Sequence, residues 1–305
     1  MSDAEREDGR RSGFVALLGA PNAGKSTLLN ALVGQKISIV THKVQTTRAQ
    51  IRGIAIEGDS QIVFVDTPGI FQPKRRLERA MVAAAWGGAQ DADLVVLLYD
   101  AGRKRIDPDT RRILDGLKGQ KRRAVLALNK IDQIRRDKLL SLAAEFEAEG
   151  IFDRIFMISA LTGDGVDDLR RHLAAEMPVG PWLYPEDQLS DLPLRLLAAD
   201  VTREKLFLKL HQELPYALTV ETETWQEFDD GSARLEQTIY VQRDSQKAIV
   251  LGKSGRTIKE IRGDAQAELE VMLERRVHLF LFVKVRENWL DDPARYRAWG
   301  LDFGA

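Results

Sequence analysis

Lys25 and Ser26 follow a glycine inside the run Gly19 to Thr27, GAPNAGKST. A cation and a hydroxyl at the end of a glycine-bounded loop are groups that hold phosphate. The glycines let the backbone of Gly19, Asn22, Ala23, Gly24, Lys25, Ser26 and Thr27 wrap an anion, with its N–H groups aimed at a β-phosphate. Lys25 would reach the β- and γ-phosphates, and the Ser26 hydroxyl would hold Mg²⁺. The bland alternative is a glycine-rich turn that happens to contain Lys-Ser. Further along, Asp66 opens DTPG (Asp66 to Gly69), where a carboxylate suits a Mg²⁺ ion held through water and Gly69 would bring its N–H to a γ-phosphate. Taken alone, DTPG is also a strand-to-turn exit with Pro68 as breaker.

Two later stretches would recognise a base. In NKID (Asn129 to Asp132), the Asp132 carboxylate can accept two hydrogen bonds, from N1–H and the 2-amino group of guanine. Adenine offers neither, and a mismatch that strands a buried polar group costs factors of about 10⁴ or more. Asn129 can address N7 and stiffen the loop, while the Lys130 stem can lie along the base. In SAL (Ser159 to Leu161), the Ala160 N–H could meet guanine O6. NKID alone reads equally as a solvated loop, and SAL alone says almost nothing. The order of all four stretches is what points to guanine.

The elements needed to position them are visible as hydrophobic pattern. Phe14 to Leu18 is an apolar strand leading into the loop, and Leu28 to Val33 has helical spacing. Ile51 to Ile56 and Ile62 to Val65 flank Gly58-Asp59 as a hairpin. Strands at Leu94 to Tyr99, Ala124 to Leu128 and Ile155 to Ile158 then alternate with helices at Arg76 to Ala89, Pro108 to Leu117, Asp137 to Glu149 and Val166 to Glu176. Alternation of this kind predicts a mostly parallel sheet covered on both faces, with ligands beyond the carboxyl ends of its strands. The motifs fall at those ends.

The second half reads differently. Residues 179–190, containing Pro181, Trp182, Tyr184 and Pro185, form a linker. A helical pattern follows from Leu192 to Leu214, then a hairpin (Tyr216 to Phe228 and a second run through Val241), helices at Ser245 to Val250 and Thr257 to Glu274, and a strand at Val277 to Val285. Between the two helices lies GKSG, Gly252-Lys253-Ser254-Gly255, with Arg256 and Lys259 close by. A tight helix–GxxG–helix can press backbone against an RNA strand whose adjacent groove reads about four unstacked bases. The alternative is an ordinary helix hairpin with a solvated basic face. A second GxxG, Gly116 to Gly119, falls at a helix end and reads as a cap.

Composition narrows the classes. The 305 residues carry 45 Lys plus Arg against 46 Asp plus Glu, so any nucleic-acid contact must come from a local patch. There is no cysteine, which removes disulfides and thiolate-zinc sites, and the four histidines have no ligand spacing. No apolar run approaches a membrane span. Residues 1–11 read as a disordered arm.

GAPNAGKST, TTR, DTPG, NKID and SAL together resemble the G motifs of translation-factor-related GTPases, and the PN and TTR are most similar to the Era family. The helix–GKSG–helix half resembles a type II KH domain. The implied fold is α/β: a P-loop NTPase-type G domain (12–178) with a mixed, mostly parallel sheet, followed by an α+β type II KH domain (191–305) with a C-terminal helix. The resemblance implies that Thr47, rather than Thr46, closes over Mg²⁺, and that Asn22 helps seat K⁺ beside the phosphates; Asn22 also reads as a turn residue. Ile70 stands where many small GTPases carry a water-orienting glutamine. Catalysis would then rest on Lys25, Thr47, Gly69 and Asn22, with slow turnover. The resemblance further implies GTP and GDP as ligands, binding near the 3′ end of small-subunit (16S) rRNA, and help in 30S assembly. A cytoplasmic monomer associating peripherally with the inner membrane, with no DNA partner, is expected. Two rivals stand: a membrane-associated regulatory GTPase whose C-terminal half binds protein, and a constitutive RNA binder with a vestigial nucleotide site.

Overall fold

The hydrophobic run at the start of the chain becomes the middle of a sheet. In the computed structural model, which describes residues 9–41, 43, 46–48, 50–211 and 214–305, β1 (Arg11–Gly19) is flanked on both sides by parallel strands. Strands buried on both faces need continuous apolar sequence, and Val15, Ala16, Leu17 and Leu18 are all fully buried. β1 begins at Arg11, inside the expected N-terminal arm, because Arg11 pairs with Ser60. Residues 1–8 of that arm, and His42 among the histidines, lie outside the described residues.

The element order continues as α1 (Lys25–Val33), β2 (Ile51–Glu57), β3 (Ser60–Asp66), α2 (Arg76–Asp91), β4 (Leu94–Asp100), α3 (Pro108–Gly119), β5 (Ala124–Asn129), α4 (Arg136–Glu147), β6 (Phe152–Met157) and α5 (Val166–Ala175). The sheet order is β2-β3-β1-β4-β5-β6, antiparallel only between β2 and β3. α3 begins where Asp107 accepts from the N–H groups of Asp109 and Thr110, with Pro108 at the first helical position. The linker runs along β2 and β3: Trp182 Nε1 donates to the Asp59 carbonyl (3.1 Å), and Gln61 exchanges hydrogen bonds with Leu183 and Tyr184.

The second half forms α6 (Leu194–Lys209), β7 (Leu218–Glu227), β8 (Ala233–Val241), α7 (Asp244–Leu251), α8 (Arg256–Leu273), β9 (Val277–Val285) and α9 (Pro293–Ala298). β8 lies between antiparallel β7 and parallel β9. α6 is shorter than its pattern: Leu210 and Leu214 keep a helical interval and are buried, yet they sit in irregular chain and a 3₁₀ turn. Leu206, Phe207, Val220, Ile239, Val250, Ile261 and Val283 share its core.

Contacts divide the chain into two units. The first holds the described residues up to Ser38, Thr47–Asp191 and Tyr296–Ala305; the second holds Ile39–Thr46 and Leu192–Arg295. By these contacts the last ten residues, expected at the end of the KH-like half, cluster with the first unit. In that unit the Arg76 guanidinium lies 4.6 Å from the Phe303 ring centroid, and Tyr296 and Leu301 are buried.

Candidate nucleotide site and RNA-binding loop

The loop between β1 and α1 turns on left-handed backbone at Asn22 (φ 64°) and Gly24 (φ 100°). A Cβ on Gly24 would lie 2.3 Å from Asn129 Nδ2, so only glycine fits there. At the other end, a Cβ on Gly19 would meet the Leu98 carbonyl at 2.8 Å. Lys25 folds into this loop, its Nζ donating to the carbonyls of Gly19 (3.0 Å) and Ala20 (3.2 Å). Burial lowers its pKa to about 8, against the attraction of Asp66. An anion in the loop would favour the charged form again. Thr27, next in the loop, is half-buried in the first turn of α1.

Asp66, at the end of β3, is fully buried, and desolvation raises its pKa. Its Oδ2 accepts from the hydroxyls of Ser26 (3.0 Å), Ser38 (3.2 Å) and Thr47 (3.4 Å), while buried Oδ1 has no partner. Two hydroxyls and a carboxylate with an unused oxygen are a donor set suited to Mg²⁺, which takes oxygen ligands and completes its shell with water and phosphate. Among the described residues no group of three or more His, Cys, Asp or Glu could hold a metal. Thr47 Oγ1 is 3.0 Å from Ser26 Oγ, whereas Thr46 Oγ1 bonds Thr41 and the Lys43 carbonyl. The structure thus places Thr47 and not Thr46 in the cluster. Gly69 packs on Pro21, where a Cβ would come within 3.2 Å of its backbone. Ile70 is fully buried in the core under the sheet and faces no solvent.

The base-recognition stretches meet through Asn129. Its Nδ2 donates to the Ala23 carbonyl (2.8 Å), and its Oδ1 accepts from the N–H groups of Lys130 (2.8 Å) and Ala160 (2.9 Å). One side chain therefore ties three loops together. The Ala160 N–H, expected to be open toward a base, is engaged by Asn129. Ser159 Oγ donates to Asp132 Oδ1 (2.7 Å), steadying an exposed carboxylate that still has lone pairs to offer. Lys130, left-handed at φ 67°, pairs with Asp100 Oδ2 (2.7 Å), and Leu161 stands exposed at the rim. Sequence reasoning missed Ser38, Asp100 and Arg103, whose Nη2 donates to the Pro21 carbonyl (2.9 Å). None of the three lies in a motif, and their only signal is proximity in the fold.

The GKSG loop is of another character. Gly252 (φ 72°), Ser254 (φ 53°) and Gly255 (φ 73°) are all left-handed, and a Cβ on Gly252 would strike Thr257 Oγ1 at 2.1 Å. Lys253, Ser254, Arg256 and Lys259 are exposed. Arg256 Nε donates to Glu260 Oε1 (3.0 Å), and Lys209 pairs with Glu260 and Asp264, so the patch holds more acid than its sequence neighbourhood suggests. No helix among the described residues is long and apolar enough to cross a membrane.

With this geometry in place, comparison with known proteins is informative. Residues 14–130 match the family model described as 50S ribosome-binding GTPase, and residues 213–290 match the KH domain model. The GTPase Era of Rhizobium meliloti (strain 1021) is 65% identical over 293 residues, covering 96% of this chain and 93% of that protein. The GTPase Era of Agrobacterium fabrum (strain C58) is 63% identical over 293 residues, covering 96% and 92%. Among solved structures, Era in complex with MgGDPNP and nucleotides 1506–1542 of 16S ribosomal RNA superposes with a TM-score of 0.89 at 37% identity, covering 95% of this chain and 99% of that one. An Aquifex aeolicus Era variant bound to GDP·AlF4⁻ gives the same score, identity and coverage.

Proposed function

This chain belongs to the GTPase Era family, and on that premise we propose that it is a GTP-switched RNA-binding protein that grips the 3′ region of small-subunit rRNA through GKSG and assists 30S assembly. The observation carrying the reading is one chain that joins the buried Ser26–Thr47–Asp66 cluster and the Asn129-tied base loops to a left-handed, exposed GKSG loop. A neighbour of the same fold was crystallised with MgGDPNP and 16S nucleotides 1506–1542, which supports both ligand classes.

In this mechanism Lys25 leaves the Gly19 and Ala20 carbonyls for the β- and γ-phosphates, and Gly69 brings its N–H toward the γ-phosphate. Ser26, Thr47 and Asp66 would hold Mg²⁺, which would supply positive charge to offset that of the phosphates. Asp132 takes the guanine edge while Ser159 fixes its direction, and Asn129 holds the loops for it. K⁺ would join at Asn22, whose left-handed backbone serves a turn as well. Ile70, the residue after DTPG, is sequestered in the core and cannot orient water, which fits slow intrinsic turnover. Lys253, Ser254, Arg256 and Lys259 meet the RNA backbone. Peripheral membrane association and a monomeric state belong to the same reading. The test is nucleotide-dependent binding of an RNA spanning 16S nucleotides 1506–1542 by the full chain, with GTP hydrolysis followed in parallel. Absence of either activity defeats the reading.

A further inference from the structure

β9 has two faces that do different things. Val277, Leu279 and Val283 point into the helical side and are buried, while His278, Phe280, Phe282 and Lys284 alternate outward and are exposed. Alternation of this kind normally puts polar residues on the wet face. Here two phenylalanines lie on it, Phe280 at 39% and Phe282 at 48% exposure, and Phe228 in the neighbouring hairpin is exposed at 40%.

The chain covers only part of this outer face. Arg295 pairs with Glu221 and stacks 4.6 Å from the Tyr240 ring centroid, and Trp289 is fully buried with its Nε1 on the Ala217 carbonyl. Thr219 and Thr238 are buried as well. Phe280 and Phe282 remain exposed, although Thr238 beside Phe282 is not. Their register partners on β8 are Glu236 and Thr238, with Arg234 opposite His278 and Tyr240 opposite Lys284. The Arg234 guanidinium sits 4.7 Å from the Phe280 centroid and is held there by Glu236.

We propose that this face of β9 is a base-stacking platform for single-stranded RNA, extending the GKSG groove; the inference rests on the RNA-binding reading above. Continuity is the first argument. β9 is an edge strand, and on its inner face Val283 shares a core with Val250 and Ile261, which flank the GKSG loop. Phe282 is next along the strand on the opposite face, so an RNA leaving the loop would cross this edge to reach it. Chemistry is the second. Two rings at i and i+2 lie roughly 6.7 Å apart along the strand, bordered by Arg234, His278 and Lys284. Rings interleaved with cations are how sheets bind unpaired bases, each base having a face to stack whatever its sequence. A protein-docking patch would be a wider continuous apolar area, whereas the β8 neighbours of these rings are charged or hydroxylic.

The test uses the full chain with Phe280→Ala/Phe282→Ala and Phe280→Tyr/Phe282→Tyr, titrated with the RNA of 16S nucleotides 1506–1542 over a salt series. Loss of stacking on two rings should weaken binding about 30-fold or more with an unchanged salt slope, because no phosphate contact is removed. The Tyr pair should bind within about twofold of the parent. As a second readout, photocrosslinking the parent chain to 4-thiouridine-substituted RNA should place adducts on Phe280 or Phe282. Parental affinity in the Ala pair, equal losses in both pairs, or adducts confined to residues 252–259 would overturn the platform while leaving the GKSG reading intact. Unchanged RNA affinity with lost 30S association would assign the face to a protein and overturn it too. If the parent chain does not bind the RNA, the RNA-binding reading fails and the platform falls with it.

Discussion

The nucleotide site and the GKSG loop both depend on left-handed backbone, yet they are built in opposite ways. Around Asp66 and Asn129 the polar groups are buried, and three separate stretches of chain are joined by side-chain hydrogen bonds. At GKSG the cations are exposed, and among the described residues no side-chain hydrogen bond caps the turn. Asp132, assigned the guanine edge, is itself exposed here, so the desolvation that makes an unmatched polar group costly would come with the bound base. The buried Asn129 holds the loops that present it. A site that grips a phosphate backbone needs charge in reach and glycine at the points of close approach. The first should therefore fail by losing selectivity or stability, and the second by losing affinity alone.

The largest effect should fall on base choice. Asp132→Asn should swing relative preference from GTP toward xanthosine triphosphate by about 10⁴, because the 2-oxo group requires a donor where guanine requires an acceptor. Competition binding with both nucleotides measures it, and a parent chain that binds ATP as tightly as GTP would refute the role given to NKID. Next comes Lys253→Asp with Ser254→Asp. Negative charge where phosphate must lie should weaken RNA binding about 100-fold or more, with the melting temperature unchanged, since both positions are exposed and Asp tolerates the left-handed backbone of Ser254. Full RNA affinity in that folded variant would end the KH reading.

Asn129→Ala sharpens the contrast from the other side. It leaves the Ala23 carbonyl and the Lys130 and Ala160 N–H groups without their partner, at a cost of about 3 kcal/mol. Thermal melting of the nucleotide-free protein should drop by roughly 6–12 °C, and a shift under 2 °C would deny that one side chain braces three loops. The smallest effects concern hydrolysis. Ile70→Ala should leave the rate within several-fold of the parent, and exchanging K⁺ for Na⁺ should slow it more than that. Equal rates in the two salts would leave Asn22 as a turn residue only.

What the sequence displayed and what it concealed follow from the same contrast. Lys25, Ser26, Asp66, Asn129 and Asp132 could be proposed because each lies at or shortly after the end of a strand that its own apolar neighbours reveal. β9 could be read to its terminal residues because its alternation is bounded by charged residues. The partners of the bracing were not legible. Asn129 can be read as stiffening its loop as well as addressing N7, but sequence spacing carries no trace of its bond to Ala23 across 106 residues or of its bond to the Ala160 N–H. Ser38, Asp100 and Arg103 were missed for that reason. The end of α6 was misplaced because Leu210 and Leu214 stay buried after the helix has stopped, and periodicity reports burial rather than hydrogen bonding. That residues 296–305 cluster by contacts with the first unit was not legible either, because a short terminal helix does not declare what covers Tyr296.

The central claim is that one ligand reports on the other. If GTP favours the RNA-competent state, RNA must favour GTP over GDP by the same factor, because linkage is reciprocal. The direct measurement is the affinity of the full chain for the 16S 1506–1542 RNA, in one buffer, with GDP and with a non-hydrolysable GTP analogue. A ratio of about 5 to 150 in favour of the GTP analogue is expected; equal affinities would mean two independent modules on one chain and would contradict the switch.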